Sequence, residues 1–109
     1  MRVILIDPFK REVREDDVNP RLFEVGPVAG GCLESGFHIS RSAILYVHRY
    51  EAGRPGFLLS ENNMFFGFGL ITGGYDRRGS PRPARVSVND VAGTVRFVKE
   101  TVDGLGYET

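Results

Sequence analysis

The chain has 109 residues, of which 41% are hydrophobic and 26% are charged, and its 14 basic side chains balance its 14 acidic ones. Such a composition indicates a single globular domain, residues 1–109, and excludes a disordered chain. With zero net charge there is no long-range field that draws the whole molecule to nucleic acid or to an acidic membrane, so a charged partner requires a local patch.

The cellular compartment is indicated by the cysteine content and the apolar runs. Cys32 is the single cysteine, which excludes an intramolecular disulfide and agrees with a reducing compartment. The longest apolar stretches, residues 3–6 and 64–72, are far shorter than the roughly 18 to 20 residues that span a bilayer. We therefore expect a cytoplasmic protein without a membrane span.

The chain begins with predicted strands. Val3 to Ile6 is an apolar, β-branched run closed by Asp7-Pro8, which is typical of a central strand buried on both faces. Phe9 to Val13 alternates in polarity and predicts a strand that pairs back as a hairpin and ends at the acidic residues that follow. Asn19-Pro20 is typical of a helix start and predicts a short helix up to Val25.

Four further strands are predicted in the sheet-rich part of the chain, residues 1–73. Cys32 to Ile39 and Ala43 to Tyr50 have the composition or alternation of strands, and residues 57–59 resume extended structure. Met64 to Thr72 is a continuous apolar run, which predicts a second buried strand.

The last third of the chain predicts a loop followed by a helix. Residues 74–86 are rich in Gly, Arg and Pro, which is typical of a surface loop whose composition permits mobility. Apolar residues then recur at helical spacing and predict a helix over residues 87–103, capped by Ser87 or Asn89. Because its valines disfavour a helix, a strand over residues 85–91 stays an alternative.

These elements predict an α+β fold. Its mostly antiparallel sheet carries a short helix in the N-terminal half of the chain, and the longer C-terminal helix packs on the same face.

The arginine-rich loop is the first candidate site. Arginines on a glycine-rich loop can adapt to phosphates while an aromatic side chain stacks on a base, which is a usual way of holding single-stranded nucleic acid. The alternative is a solvated loop without a ligand, which the zero net charge favours. The candidate anion-binding residues are Tyr75, Arg77, Arg78, Arg82 and Arg85.

A second candidate site is an apolar interface with a protein partner or with a second copy of the chain, formed by Phe65, Phe66 and Phe68. Phe66 to Ile71 also partly resembles the aromatic strand of RNA-recognition domains. A core strand with glycines where another element packs closely explains the same residues better.

No pattern predicts catalysis, a cofactor or a metal site. His38 and His48, taken with nearby glutamates, match no compact metal motif and are expected to be partly exposed strand residues. Cys32 follows two glycines, but no base is evident that would activate it, so a small buried side chain is expected.

The segments Val3 to Pro8, Val25 to Gly31, Leu45 to Glu51 and Phe68 to Gly73 resemble small phage- and plasmid-borne domains of unknown function. The resemblance implies an accessory gene product without an assigned reaction and supplies no catalytic residues. We therefore expect a small non-catalytic binding protein, foremost a protein-interaction module. Weak binding of nucleic acid or phosphate through the arginine loop is the alternative, and an enzyme comes third.

Overall fold

A computed structural model describes residues 1–19, 27–28, 31–48, 55–60, 63–101 and 104–107. They form ten strands and one helix. In chain order the strands are β1 (Arg2–Asp7), β2 (Glu12–Asp17), β3 (Pro27–Val28), β4 (Gly31–Ser40), β5 (Ala43–His48), β6 (Gly56–Leu59), β7 (Asn63–Phe66), β8 (Gly69–Thr72), β9 (Val95–Thr101) and β10 (Gly104–Tyr107), and the helix α1 (Val88–Ala92) precedes β9.

The strands form two antiparallel sheets. The larger sheet has the order β2-β1-β8-β5-β4-β3, and the smaller sheet has the order β10-β9-β6-β7. β1 lies between β2 and β8, and Val3 to Ile6 are buried on both faces, which confirms the prediction of a central strand. Since the described residues contain one helix of only five residues, the predicted α+β class is wrong, and the described fold is mostly antiparallel sheet.

The main core lies between the two sheets. The fully buried ring of Phe57 in the smaller sheet rests against Gly69 of the larger sheet, where an added Cβ would lie 2.7 Å from the ring. A glycine at this position therefore lets the sheets approach each other, as the core-strand interpretation of this segment expects. The other buried residues of this core include Ile4, Ile6, Ala43, Leu45, Val47, Leu59, Ile71, Ala84 and Val91.

A second core covers the opposite face of the larger sheet. Its members alternate along their strands with the members of the main core, so β1, β5 and β8 are apolar on both sides. Met1, Val18 and Phe68 pack against it from its edges. The buried residues of this second core are Val3, Leu5, Ile44, Tyr46 and Leu70.

The apolar run from Met64 to Thr72 is not one strand, so that prediction is wrong. β7 ends at Phe66 in the smaller sheet, whereas β8 begins at Gly69 in the larger sheet. Gly67, between them, has a φ of 80°, a left-handed conformation that favours glycine. Its N–H donates to the carbonyl oxygen of Pro55 at 2.9 Å. The chain therefore changes sheets at this glycine.

The predicted helix over residues 87–103 is also wrong. Ser87 caps α1, as predicted, but the helix has only five residues and closes at Gly93. β9 then pairs with β6, and Val95 and Phe97 pack against the main core. The spacing of the valines fits a helical period, but their β-branched side chains favour a strand.

Asp7 explains why β2 begins later than predicted. Its buried carboxylate accepts hydrogen bonds from the N–H groups of Phe9 at 3.0 Å and Lys10 at 3.1 Å, and from Arg14 at 2.9 Å. Burial raises the pKa of this carboxyl, but the hydrogen bonds from Arg14 and the two backbone groups outweigh it, so the pKa of Asp7 is lowered. These bonds hold the residues after Asp7 in a turn.

The remaining secondary-structure predictions have mixed outcomes. The predicted strand at Phe9 to Val13 starts instead at Glu12 and continues through the acidic residues to Asp17. A strand over residues 85–91 is not observed, because α1 occupies part of this range. The predicted helix after Asn19 falls on residues 20–25, which lie outside the described residues.

We expect Gly69→Ala to lower the free energy of unfolding by about 1–3 kcal/mol, because the added methyl group must displace the Phe57 ring or the Leu45 side chain. Gly93→Ala is the matched control. Gly93 has a φ of −67°, and the nearest atom to an added Cβ lies at 3.5 Å, so stability should stay the same or rise by up to about 1 kcal/mol. Urea unfolding followed by circular dichroism measures both. Equal stability of the two variants would contradict the contact between the sheets.

Candidate anion-binding loop

Residues 73–84 form an ordered hairpin, which we call the arginine hairpin. The N–H of Gly73 donates to the carbonyl oxygen of Arg82 at 2.8 Å. In turn, the N–H of Arg82 donates to the carbonyl oxygen of Gly74 at 2.7 Å. Nearer the tip, Tyr75 pairs with Pro81 in an isolated β-bridge. A short backbone ladder thus holds a segment that the sequence predicts only as a surface loop.

Asp76 organises the tip of the arginine hairpin. Its carboxylate accepts hydrogen bonds from the N–H groups of Arg78 at 2.8 Å and Ser80 at 3.0 Å. The N–H of Gly79 donates to the carbonyl oxygen of Asp76 at 3.1 Å, and the φ of Gly79 is 80°. Asp76 is not among the predicted site residues. Aspartate followed three residues later by glycine is nevertheless a sequence pattern of a β-turn.

The charge state of Asp76 follows from these contacts. Hydrogen bonds from the backbone N–H groups of Ser80 and Arg78 lower the pKa of its carboxyl, and the nearby charges of Arg82 and Arg78 lower it further. Asp76 is therefore an anion at neutral pH. It offsets part of the positive charge of the hairpin while fixing its backbone.

The four predicted arginines are exposed. Arg77 and Arg78 are the central residues of the tip turn, Arg82 is on the returning side, and Arg85 follows the base. None of the four forms a salt bridge with another residue that the structure describes. In contrast, the guanidinium group of Arg14 is engaged by two carboxylates. The arginines of the hairpin thus keep their hydrogen-bond donors available for a ligand.

A fifth exposed arginine, Arg41, lies beside the arginine hairpin and is not among the predicted site residues. It belongs to the turn between β4 and β5. A Cβ on Gly74 would lie 2.7 Å from the carbonyl oxygen of Arg41, so the two backbones are in close contact. Gly74 has a φ of 97°, which also favours glycine. The two segments are distant in sequence, so no local pattern indicates this neighbour.

Tyr75 joins a small aromatic cluster at the edge of the second core. The hydroxyl of Tyr46 donates to the hydroxyl of Tyr75 at 3.3 Å, and the ring centroids of His38 and Tyr75 are 6.1 Å apart. Burial and this hydrogen bond raise the pKa of the Tyr46 phenol. Tyr75 is 39% exposed, so part of its side chain remains accessible to a ligand.

Arg2 fixes the base of the arginine hairpin to β1. Its guanidinium group donates to the carbonyl oxygens of Ala84 at 2.7 Å and Val86 at 3.1 Å, and pairs with Glu15 at 2.9 Å. In return, the N–H of Ala84 donates to the carbonyl oxygen of Arg2 at 2.8 Å. The hairpin therefore projects from a fixed position beside the larger sheet.

The three phenylalanines of the predicted interface do not share one surface. Phe65 packs against the main core, with its ring centroid 5.5 Å from that of Phe57. Phe68 packs against the second core, 5.0 Å from the ring of Phe9. Phe66 is next to Phe65 on β7 and so faces the other side of the smaller sheet. All three are half-buried.

The structure does not bring the two histidines together. His38 pairs with Ile44 near the turn of the β4–β5 hairpin, whereas His48 pairs with Leu33 at its far end. Within the described ranges, no group of three or more His, Cys, Asp or Glu side chains is arranged to hold a metal ion. The side chain of Cys32 lies outside the described residues.

Comparison of the chain with protein-family models, with curated proteins and with solved structures finds no match. The part of the chain that the structure describes includes no helix long and apolar enough to cross a membrane. Function is therefore inferred from the geometry of the chain's own residues.

We expect Asp76→Ala to loosen the hairpin tip, because the N–H groups of Arg78 and Ser80 lose their acceptor. Amide hydrogen exchange at these two residues should become faster, while exchange within β1 stays unchanged. Asp76→Asn keeps a side-chain oxygen and should retain most of the protection. Unchanged exchange in Asp76→Ala would contradict the role of this carboxylate.

The lowered pKa of Asp76 also predicts how the tip responds to acid. Because the folded-state pKa lies below the ordinary value of 3.8, the stabilisation by this carboxylate is fully present above 3.8 and is lost as the pH falls through the lowered pKa. The amide chemical shifts of Arg78 and Ser80 should report a titration midpoint below 3.8. A midpoint at or above that value is the outcome that contradicts the hydrogen bonds.

Proposed function

We propose that this chain is a non-catalytic binding domain whose arginine hairpin holds a phosphate-bearing ligand, with single-stranded nucleic acid as the ligand class. The observation that carries the proposal is a set of exposed guanidinium groups on an ordered backbone, none of which forms a salt bridge with another described residue: Arg77, Arg78, Arg82 and Arg85. Guanidinium groups match phosphate oxygens with paired hydrogen bonds, which makes them suited to this ligand.

The local charge of the hairpin supports the proposal despite the zero net charge of the chain. Arg78 and Arg82 both lower the pKa of Asp76, so both lie within electrostatic range of one carboxylate. The backbone of Arg41, a further exposed arginine, contacts the base of the hairpin at Gly74. Asp76 is the one carboxylate within residues 73–85. The hairpin is therefore a local positive patch, which a phosphate chain can meet at short range.

Tyr75 favours a single strand over a duplex. Bases of a single strand are free to stack on an exposed aromatic side chain, and this stacking tolerates any sequence. The hairpin offers charges and one aromatic residue and no helix or ribbon long enough to read a groove. We therefore propose binding with little sequence preference.

Fluorescence anisotropy with a labelled twelve-nucleotide DNA strand tests the proposal. Each phosphate neutralised in a single strand contributes about −0.7 to the slope of log affinity against log salt, so four arginines give a slope of at most about −3. Replacing Arg77, Arg78, Arg82 and Arg85 together by Ala should abolish binding and change the free energy of unfolding by less than about 0.5 kcal/mol.

Arg96→Ala is the matched control, because Arg96 is also exposed and lies on the smaller sheet, outside the hairpin. It should bind like the parent protein. The proposal is wrong if the parent does not bind at low salt. A quadruple variant that loses stability together with binding would instead make the arginines structural.

A second candidate, which the sequence places first, is association with a protein partner or a second copy along β7. β7 is the last strand in the order of the smaller sheet, and its sequence, residues 63–66, contains no charge. The corresponding strand of the larger sheet, β2, carries five charged residues. Charges on an outer strand prevent pairing with another chain, so the contrast favours β7 over β2 as an associating edge.

If β7 pairs with a second copy, light scattering should give a multiple of the 12.1 kDa chain mass, and Met64→Lys should return the monomer. Met64 is half-buried and its lysine replacement can extend to solvent, whereas Phe65→Asp would disrupt the main core. Glu12→Lys on β2 is the control and should leave the mass unchanged. A parent protein that stays monomeric at high concentration would exclude this candidate.

A further inference from the structure

An apolar cleft opens where α1 lies beside the two sheets. It has a volume of about 190 Å³. The buried side chains that line it come from β5, β6, β8 and α1 in turn: Ala43, Leu59, Ile71 and Val91. Ile39 also lines it and is one of the few large apolar residues that stay exposed, at 39%. Its exposure is thus explained by its place in the cleft.

The polar groups of the cleft lie among its exposed lining residues. Among the described residues that line the cleft, Asp90 is the one with a charged side chain, and it forms no salt bridge with another described residue. Its backbone N–H donates to the Ser87 hydroxyl at 3.0 Å, and its carboxylate accepts no hydrogen bond from another described residue. The hydroxyl of Thr94 already donates to the carbonyl oxygen of Val91 at 2.8 Å. Asp90 therefore sets the charge of the cleft.

The shape of the cleft is fixed before any ligand arrives. Ser60 has a φ of 54°, which is uncommon for a residue other than glycine, and its N–H donates to the carbonyl oxygen of Thr94 at 3.0 Å. This bond ties the end of β6 to the turn after α1, and both residues line the cleft. Backbone strain of this kind is concentrated at binding sites, where the surrounding structure maintains it.

We propose that this cleft binds a small amphiphilic cation, with an apolar body about the size of one aromatic ring and an ammonium group that pairs with Asp90. An apolar cavity of about 150 Å³ is sufficient to hold benzene, so the observed volume admits a single ring. Apolar walls with one convergent polar group are typical of small-molecule sites. This ligand has the opposite charge to the one proposed for the arginine hairpin, so the two sites are independent.

The experiment compares two probes with the same ring and opposite charges, 2-phenylethylamine and 3-phenylpropanoate. Methyl NMR spectra of the full chain follow Ile39, Leu59, Ile71 and Val91 during titration. The amine should cause saturable shifts at these methyl groups, and the carboxylate should bind about fivefold more weakly, the upper range for an exposed ion pair. Absence of saturable shifts, or equal affinity for the two probes, would overturn the proposal.

Two variants and a control separate the roles of charge and volume. Asp90→Asn at its exposed position should remove the preference for the amine, and retention of the preference would overturn the role of this carboxylate. Val86→Phe should fill part of the cleft and lower the affinity for both probes, since half-buried Val86 is one of the residues that line the cleft. Asp16→Asn removes a carboxylate from β2 that is not among the residues lining the cleft, and should leave both affinities unchanged.

Discussion

The ring of Phe57 lies against the backbone of Gly69, and this contact determines how closely the two sheets pack. Any side chain at position 69 would occupy the space that the ring fills. Two residues earlier, Gly67 adopts the conformation that carries the chain from the smaller sheet to the larger one. A single short segment therefore connects the sheets and also allows them to meet, and the main core forms around it.

The sequence predicts the strands whose burial is regular and fails where residue spacing and β propensity favour different elements. Val3 to Ile6 is apolar throughout because both faces of β1 are buried, and that pattern is unambiguous. The valines after Ser87 have helical spacing but β-branched side chains, and only the pairing of β9 with β6 decides between helix and strand. Likewise, only Gly67 separates Met64 to Phe66 from Gly69 to Thr72 locally, because each half is apolar and the sheet that accepts it is set by distant strands.

The candidate site is predictable in composition but not in arrangement. The arginines of residues 77–85 are evident from the sequence, and the turn at Asp76 carries a recognisable local pattern. Arg41 and Arg2 reach the hairpin from distant parts of the chain, so tertiary structure alone reveals them. The three phenylalanines are close in sequence, but they lie on different surfaces because the chain changes sheets between Phe66 and Phe68.

The ordered backbone of the arginine hairpin has a thermodynamic consequence. An arginine-rich tail that is disordered when free must lose backbone conformational entropy each time it binds, which weakens its affinity. Here the ladder, the Asp76 turn and the Arg2 anchor restrict the backbone during folding. When a ligand binds, only the ligand and the arginine side chains lose conformational freedom. The free energy of each contact is therefore not spent on ordering the backbone of the hairpin.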